Sequence, residues 1–158
     1  LVETTTRGAD ILSDPSKYKP KTKETADHSL PYVIAAAVAD GNVLPDSFSD
    51  EKLNDPRIWD LLDKIKVVAD PEIDALFPAV KRARVSIVTT DGEAHTAQVD
   101  HAKGSPENPL SDDEIVSKFR ANAEGVMSEK RQDEIIAATW AFDEVENLSE
   151  YMALLVQE

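Results

Sequence analysis

The feature that most constrains this chain is an apolar run over residues 32–39, which polar residues precede directly. A helix that is apolar on every side is normally buried, so the run predicts a core helix whose polar first turn faces a cavity or a partner. Asp27 is the predicted N-cap of this helix, and Gly41 is the predicted residue that ends it. In such a helix His28 and Tyr32, four residues apart, share one face.

Other local patterns predict further helices and strands. Residues 2–6 are typical of a strand, and the alternation over residues 64–69 predicts a second one. Asp55 and Pro56 are a typical N-cap and first residue of another helix, which carries an apolar stripe. Residues 7–26 are polar and contain two prolines, so they predict a connecting loop.

A β-hairpin is the clearest local prediction. Two alternating segments, residues 84–90 and 93–99, flank an Asp-Gly pair. This pair is the sequence that a two-residue type I′ turn requires. A two-residue turn places Val88 opposite His95.

The spacing of the apolar residues becomes helical after residues 101–110, a loop that contains two prolines and a glycine. Ser111 begins a capping box, Ser149 is predicted to cap a last short helix, and the apolar spacing from Ser111 onward is helical. The predicted class is therefore α+β, with a small antiparallel-sheet domain and helices over residues 1–108. An all-helical C-terminal segment over residues 110–158 follows it.

The composition restricts the class of partner. The chain has 31 acidic and 17 basic residues, a net charge of −14, which disfavours nucleic acid and anionic membranes as partners. No apolar run approaches the roughly 18 residues of a membrane span. Cysteine is absent, so we expect no disulfides and a cytoplasmic location. The chain begins at Leu1 without Met, and we expect it to be a piece of a longer protein.

Few residues are suited to chemistry. The three histidines do not have metal-ligand spacing, and no glycine-rich phosphate loop occurs, so we expect no metal and no cofactor. His28 and Tyr32 are the first candidates for proton transfer, because a helix N-terminus lowers the pKa of a nearby imidazole. Structural hydrogen bonding is the alternative role of this pair.

Basic residues give a second candidate set. Four lysines alternate within residues 17–23 and form a basic cluster in an acidic chain. They are Lys17, Lys19, Lys21 and Lys23. The cluster is either a solvated loop or a clamp for an anionic substrate. In a later loop, the ammonium of Lys103 and the backbone of Gly104 are candidates for contact with a carboxylate.

Several short sequence motifs occur in an order that resembles the MmgE/PrpD family, which includes 2-methylcitrate dehydratase, cis-aconitate decarboxylase and iminodisuccinate epimerase. The first motif is Asp-His-Ser-Leu-Pro-Tyr at residues 27–32, before an alanine-rich helix. The other motifs are, in order, Asp40-Gly41, Asp55-Pro56-Arg57-Ile58, Lys64-Ile65-Lys66-Val67, the Asp91-Gly92 hairpin and Lys-Gly-Ser-Pro-Glu-Asn-Pro-Leu-Ser at residues 103–111.

The resemblance implies an architecture and a reaction class. Residues 1–108 resemble the lid domain of the family, and residues 110–158 resemble returning helices of a larger helical domain, whose N-terminal part is absent here. Family members act without metal on small polycarboxylates in the cleft between the two domains. The leading implication is a dehydratase of the 2-methylcitrate type. The alternatives are a decarboxylase, an epimerase or, for the isolated fragment, a non-catalytic binding or dimerisation module.

The resemblance also implies roles and partners. Tyr32 and His28 correspond to catalytic positions, while Lys21, Lys23, Lys103 and Gly104 are candidates for substrate binding. The expected partners are a small polycarboxylate and the N-terminal helical domain of the same protein. Apolar helical faces further predict a homo-oligomer.

Overall fold

The computed structural model of the protein describes residues 1–156, which fall into two compact units. The first unit is Leu1–Pro109, and the second begins at Leu110. The first unit combines helices with a four-stranded sheet, and the described part of the second is helical, so the predicted α+β class is confirmed. Among residues 1–156, no helix is both long enough and apolar enough to cross a membrane. The assignment of the units to a lid domain and a larger helical domain stays a prediction.

The sheet of the first unit is mixed rather than antiparallel. Its strands are β1 (Val2–Thr4), β2 (Val67–Ala69), β3 (Ala83–Val88) and β4 (Ala94–Val99), in the order β2-β1-β3-β4. The β1–β2 pair is parallel, and the other two pairs are antiparallel. The difference arises because the chain crosses from β1 to β2 through helices, and a crossover of this length brings the second strand back in the same direction.

The register of the β3–β4 hairpin differs from the predicted one by one residue. Ile87 lies opposite His95. The N–H of Gly92 donates to the Thr89 carbonyl at 3.0 Å, and Gly92 has a φ of +91°. A turn followed by a left-handed glycine makes a three-residue loop instead of a two-residue one. Thr90 therefore belongs to the loop, and this shifts every cross-strand pair.

Helices occupy most of the segment between β1 and β3. They are α1 (Thr6–Leu12), α2 (Lys23–Asp27), α3 (Leu30–Asp40), α4 (Asp50–Leu53), α5 (Pro56–Leu62) and α6 (Pro71–Leu76), with 3₁₀ turns at Pro15–Tyr18 and Pro45–Phe48. The loop predicted over residues 7–26 is therefore largely helical. Side chains of Thr5, Asp14 and Thr22 cap its three short helices, and Pro15 stands in a first turn, where proline is tolerated. The predicted start of α5 at Asp55 and Pro56 is confirmed.

Helix α3 is the buried helix that the apolar run predicts, but it begins later than expected. Its N-cap is Ser29, whose hydroxyl accepts from the Tyr32 N–H at 3.1 Å, and not Asp27. Pro31 lies within the first turn, where its missing N–H leaves no helical bond unmade. Gly41 ends the helix with a φ of +78°, as predicted.

The core of the first unit lies between α3 and α5. Tyr32, Ala35 and Ala36 of α3 have no exposed surface, and they form one cluster with Ile58 and Leu62 of α5. The phenol of Tyr32 is thus inside the core, although it belongs to the first turn of the helix. The polar group of this buried side chain must find a partner within the protein.

The described part of the second unit contains α7 (Asp112–Ala123), α8 (Glu129–Trp140) and α9 (Leu148–Leu154). The capping box at Ser111 is confirmed. The cap of α9 is Asn147 rather than Ser149, because the Asn147 side chain accepts the Ser149 N–H at 3.1 Å. Trp140 and Leu148 are among its exposed apolar side chains, and the helical domain or second copy expected to cover them stays a prediction.

The first prediction concerns the buried phenol. Its O–H donates to the Ser47 carbonyl at 2.9 Å, and Tyr32→Phe leaves that carbonyl without this donor. We expect the free energy of unfolding to fall by about 1–3 kcal/mol in urea denaturation. Tyr151→Phe is the matched control, because within the described part of the chain the Tyr151 hydroxyl has a single, exposed hydrogen-bond contact, with Thr139. Equal losses in both variants would contradict the role of the buried bond.

Candidate functional site

His28 and Tyr32 lie in different helices. His28 is the C-cap of α2, whereas Tyr32 belongs to the first turn of α3, with Ser29 starting the new helix between them. The predicted common helical face is therefore wrong. The His28 side chain is 72% exposed, and Tyr32 is fully buried, so the imidazole faces solvent while the phenol faces the core.

Two acceptors hold one side of the His28 ring. Nδ1 contacts the Asp27 carboxylate and lies 3.1 Å from the Glu24 carbonyl oxygen. Both groups are acceptors, so Nδ1 carries the proton and donates it. Within residues 1–156, Nε2 has no hydrogen-bond partner. A carboxylate that fixes one nitrogen and leaves the other open is the arrangement that proton transfer by histidine uses.

The pKa of His28 lies above the ordinary value for histidine, and the hydrogen bond to Asp27 is the largest cause, followed by the bond to the Glu24 carbonyl. The expectation of a lowered pKa is wrong. It assumed a helix N-terminus, whereas His28 lies at the C-terminal end of α2, where a positive charge is favoured. The arrangement thus favours the imidazolium, which is a proton donor.

The basic segment, defined as residues 17–23, approaches His28 at one end. The Ser29 hydroxyl donates to the Lys17 carbonyl at 2.6 Å, which ties the segment to the start of α3. The charge of Lys17 acts on the His28 imidazole and opposes part of the rise in its pKa. The structure therefore brings Lys17 and His28, which sequence reasoning listed separately, into one neighbourhood.

Lys21 and Lys23 are both exposed, and among the described residues neither ammonium has an ion-pair partner. Lys23 is the first residue of α2 and precedes His28 by five positions. Lys21 lines a cavity whose wall includes Trp59. The substrate-binding role of both lysines stays a prediction.

The loop that carries Lys103 and Gly104 is closed by its own hydrogen bonds. The Gly104 N–H donates to the Asn108 carbonyl at 2.7 Å, and the Asn108 side chain donates to the His101 carbonyl at 3.0 Å. The Gly104 amide is thus occupied, and none of these bonds reaches the neighbourhood of His28. A binding role for Lys103 and Gly104 stays a prediction.

Sequence reasoning missed the functions of Asp27 and Ser29. Asp27 was expected to cap the buried helix, whereas its carboxylate holds the His28 ring. A local signal for the true cap was present, because Ser29 is followed two residues later by Pro31, a pattern typical of an N-cap before a first turn. That assignment would have left Asp27 free to pair with His28.

Comparisons with known proteins identify the family of the chain. The family model described as the MmgE/PrpD C-terminal domain matches residues 1–144. The chain is 29% identical over 136 residues to the cis-aconitate decarboxylases of Mus musculus and of Homo sapiens, which covers 86% of this chain and 28% of each relative. A cis-aconitate decarboxylase-like protein of Aspergillus oryzae is 30% identical over 141 residues, or 89% of this chain and 29% of that protein. The chain spans less than a third of the length of these relatives. Because the family model covers most of the sequence, the chain belongs to the MmgE/PrpD family.

Proposed function

We propose that this chain is the C-terminal part of a lyase that acts on a small polycarboxylate and that His28 transfers a proton in the reaction. One observation carries the proposal. An exposed imidazole with its Nδ1 tied to the Asp27 carboxylate and its Nε2 open lies at the end of the basic segment. The cationic groups there attract an anionic substrate, although the chain as a whole is acidic.

Among the reactions of the family, we favour decarboxylation of a cis-aconitate-type acid. The sequence motifs had instead implied dehydration of 2-methylcitrate as the leading reaction. The two mammalian relatives are named cis-aconitate decarboxylase, and the Aspergillus oryzae relative is named cis-aconitate decarboxylase-like. The raised pKa of His28 supports the same choice. Decarboxylation consumes a proton, which an imidazolium supplies, whereas dehydration by proton abstraction requires a neutral imidazole as the base.

The proposed chemical step uses His28 as a general acid. The bond between the leaving carboxylate and the substrate carbon breaks, its electron pair stays on the carbon skeleton, and carbon dioxide leaves. The Nε2 proton then moves to the carbanionic carbon, and solvent reprotonates the ring. Asp27 keeps its bond to Nδ1 throughout and stabilises the imidazolium before each turnover.

Tyr32 enters the proposal as a positioning residue. Burial raises the pKa of its phenol, so the hydroxyl stays protonated and keeps its bond to the Ser47 carbonyl. The first turn of α3 is thereby anchored next to Ser29, the residue that follows His28. Direct proton donation by Tyr32, the role predicted from the sequence, would require the hydroxyl to leave that carbonyl.

The second prediction tests the reaction and the acid together. We expect the full-length protein to release carbon dioxide from cis-aconitate and to leave 2-methylcitrate unchanged. His28→Gln should lower kcat by about 10²–10⁴-fold. The same variant should change the free energy of unfolding by no more than about 0.5 kcal/mol, because the side chain is exposed.

His95→Gln is the matched control, since His95 is also exposed and lies on β4. It should keep full activity. Undiminished turnover by His28→Gln would exclude the proton-transfer role. Loss of water from 2-methylcitrate without carbon dioxide release from cis-aconitate would replace the proposed reaction with the dehydratase one.

The third prediction concerns pH. Asp27→Asn removes the largest cause of the raised pKa of His28, so the pKa should fall. The imidazolium is the active form in the proposed step, and activity is therefore lost as the pH rises through this pKa. The alkaline limb of the kcat profile should move to lower pH in the variant. A limb that stays in place, or moves to higher pH, would show that His28 is not the acid.

The fourth prediction concerns the lysines. The double substitution Lys17→Ala and Lys23→Ala should raise the KM for the polycarboxylate by roughly twofold to thirtyfold, because each ion pair at the surface contributes about 0.2–1 kcal/mol. Lys66→Ala with Lys81→Ala is the control, since it removes the same charge from two exposed positions outside the basic segment. Equal KM values for the two double variants would show that only the total charge of the chain matters, and they would contradict a binding role for the lysines of the basic segment.

A further inference from the structure

We propose that the first unit contains a second ligand site, which takes a small aromatic monocarboxylate. A cavity of about 400 Å³ lies between the basic segment and α4. This volume lies within the range of roughly 300–1,000 Å³ that is usual for small-molecule sites. The site goes beyond the proposed lyase activity and does not depend on it.

Trp59 provides an apolar wall for this cavity. Its indole N–H donates to the Leu53 carbonyl at 2.8 Å, so the donor of the ring is already used and the ring is held by one edge. The side chain packs against the core cluster to which the buried Leu53 belongs. A fixed aromatic face beside an aliphatic residue favours a flat ring as the occupant, through stacking and apolar burial.

The charges around the cavity select a monoanion. Lys19 and Lys21 line it together with Asp50, and within the described residues none of the three has an ion-pair partner. Two ammonium groups and one carboxylate leave a local charge of about +1. One carboxylate on the ligand neutralises this charge. A dicarboxylate or tricarboxylate would bring excess negative charge towards Asp50, which distinguishes the cavity from the polycarboxylate surface at His28.

The test is a titration of the chain with benzoate, followed by ¹⁹F NMR after incorporation of 5-fluorotryptophan. The chain contains two tryptophans, so it gives two signals, and Trp59→Phe assigns them. We expect a saturable shift of the Trp59 signal with a Kd of about 1–10 mM. Trp140 lies in the second unit, and its signal should stay in place. Benzamide, which lacks the charge, and cyclohexanecarboxylate, which lacks the flat ring, should both bind more weakly.

Two charge variants give opposite expectations. Lys19→Ala should weaken benzoate binding by roughly twofold to fivefold, and Asp50→Asn should strengthen it by a similar factor, because each alters one exposed charge. Lys81→Ala, at an exposed position that does not line the cavity, should change nothing.

Several results would overturn the proposal. They are the lack of a saturable Trp59 shift, an equal shift of Trp140, and tighter binding of cis-aconitate than of benzoate with the same dependence on Lys19. The last result would assign the cavity to the polycarboxylate. Turnover does not enter these measurements, so a failure here leaves the proposed lyase activity standing, and a failed decarboxylation assay leaves this site standing.

Discussion

The buried hydroxyl of Ser29 determines much of the arrangement around His28. It is 1% exposed and uses both of its hydrogen-bonding functions, accepting the Tyr32 N–H at 3.1 Å and donating to the Lys17 carbonyl at 2.6 Å. The first bond starts α3, and the second fixes the basic segment against it. A buried hydroxyl with either bond missing would be destabilising, so the two contacts depend on each other. His28 therefore has to end the preceding helix.

This helix boundary separates a rigid part from a reactive part. On one side, Tyr32, Ala35 and Ala36 of α3 form part of a core and have no exposed surface. On the other side, His28 is exposed, and among residues 1–156 it is oriented only by Asp27 and the Glu24 carbonyl. Reactive groups are more accurately placed when a packed element supports them. The adjacent buried turn thus supplies the precision that an exposed histidine at a helix end would otherwise lack.

The sequence predicts those features that local signals determine, and it fails where a distant contact decides. The buried helix, the Asp55-Pro56 start and the Ser111 capping box follow from residues within one turn of each other. Asp27 and Ser29 are both good caps by type, however, and the bond from Ser29 to a carbonyl twelve residues away accompanies the choice of Ser29. The predicted direction of the His28 pKa change was wrong for the same reason. When the helix boundary moves by two residues, from Asp27 to Ser29, His28 lies at a helix end instead of a helix start. The hairpin register is the exception, because a local choice decides it: Thr90 joins the loop instead of the strand.

The position of the boundary also gives the alternating lysines two different surroundings. A single clamp was expected, yet Lys17 acts on the His28 imidazole while Lys19 and Lys21 line the cavity beside Trp59. A cation next to an imidazolium favours a ligand of high negative charge, because both groups then gain from its approach. A pair of cations opposed by Asp50 next to an aromatic wall favours a ligand with less charge and more apolar surface. One short segment in an acidic chain can therefore bind two anions of different chemistry. The lysines determine that the ligand is an anion, and the surroundings of each lysine determine which anion binds.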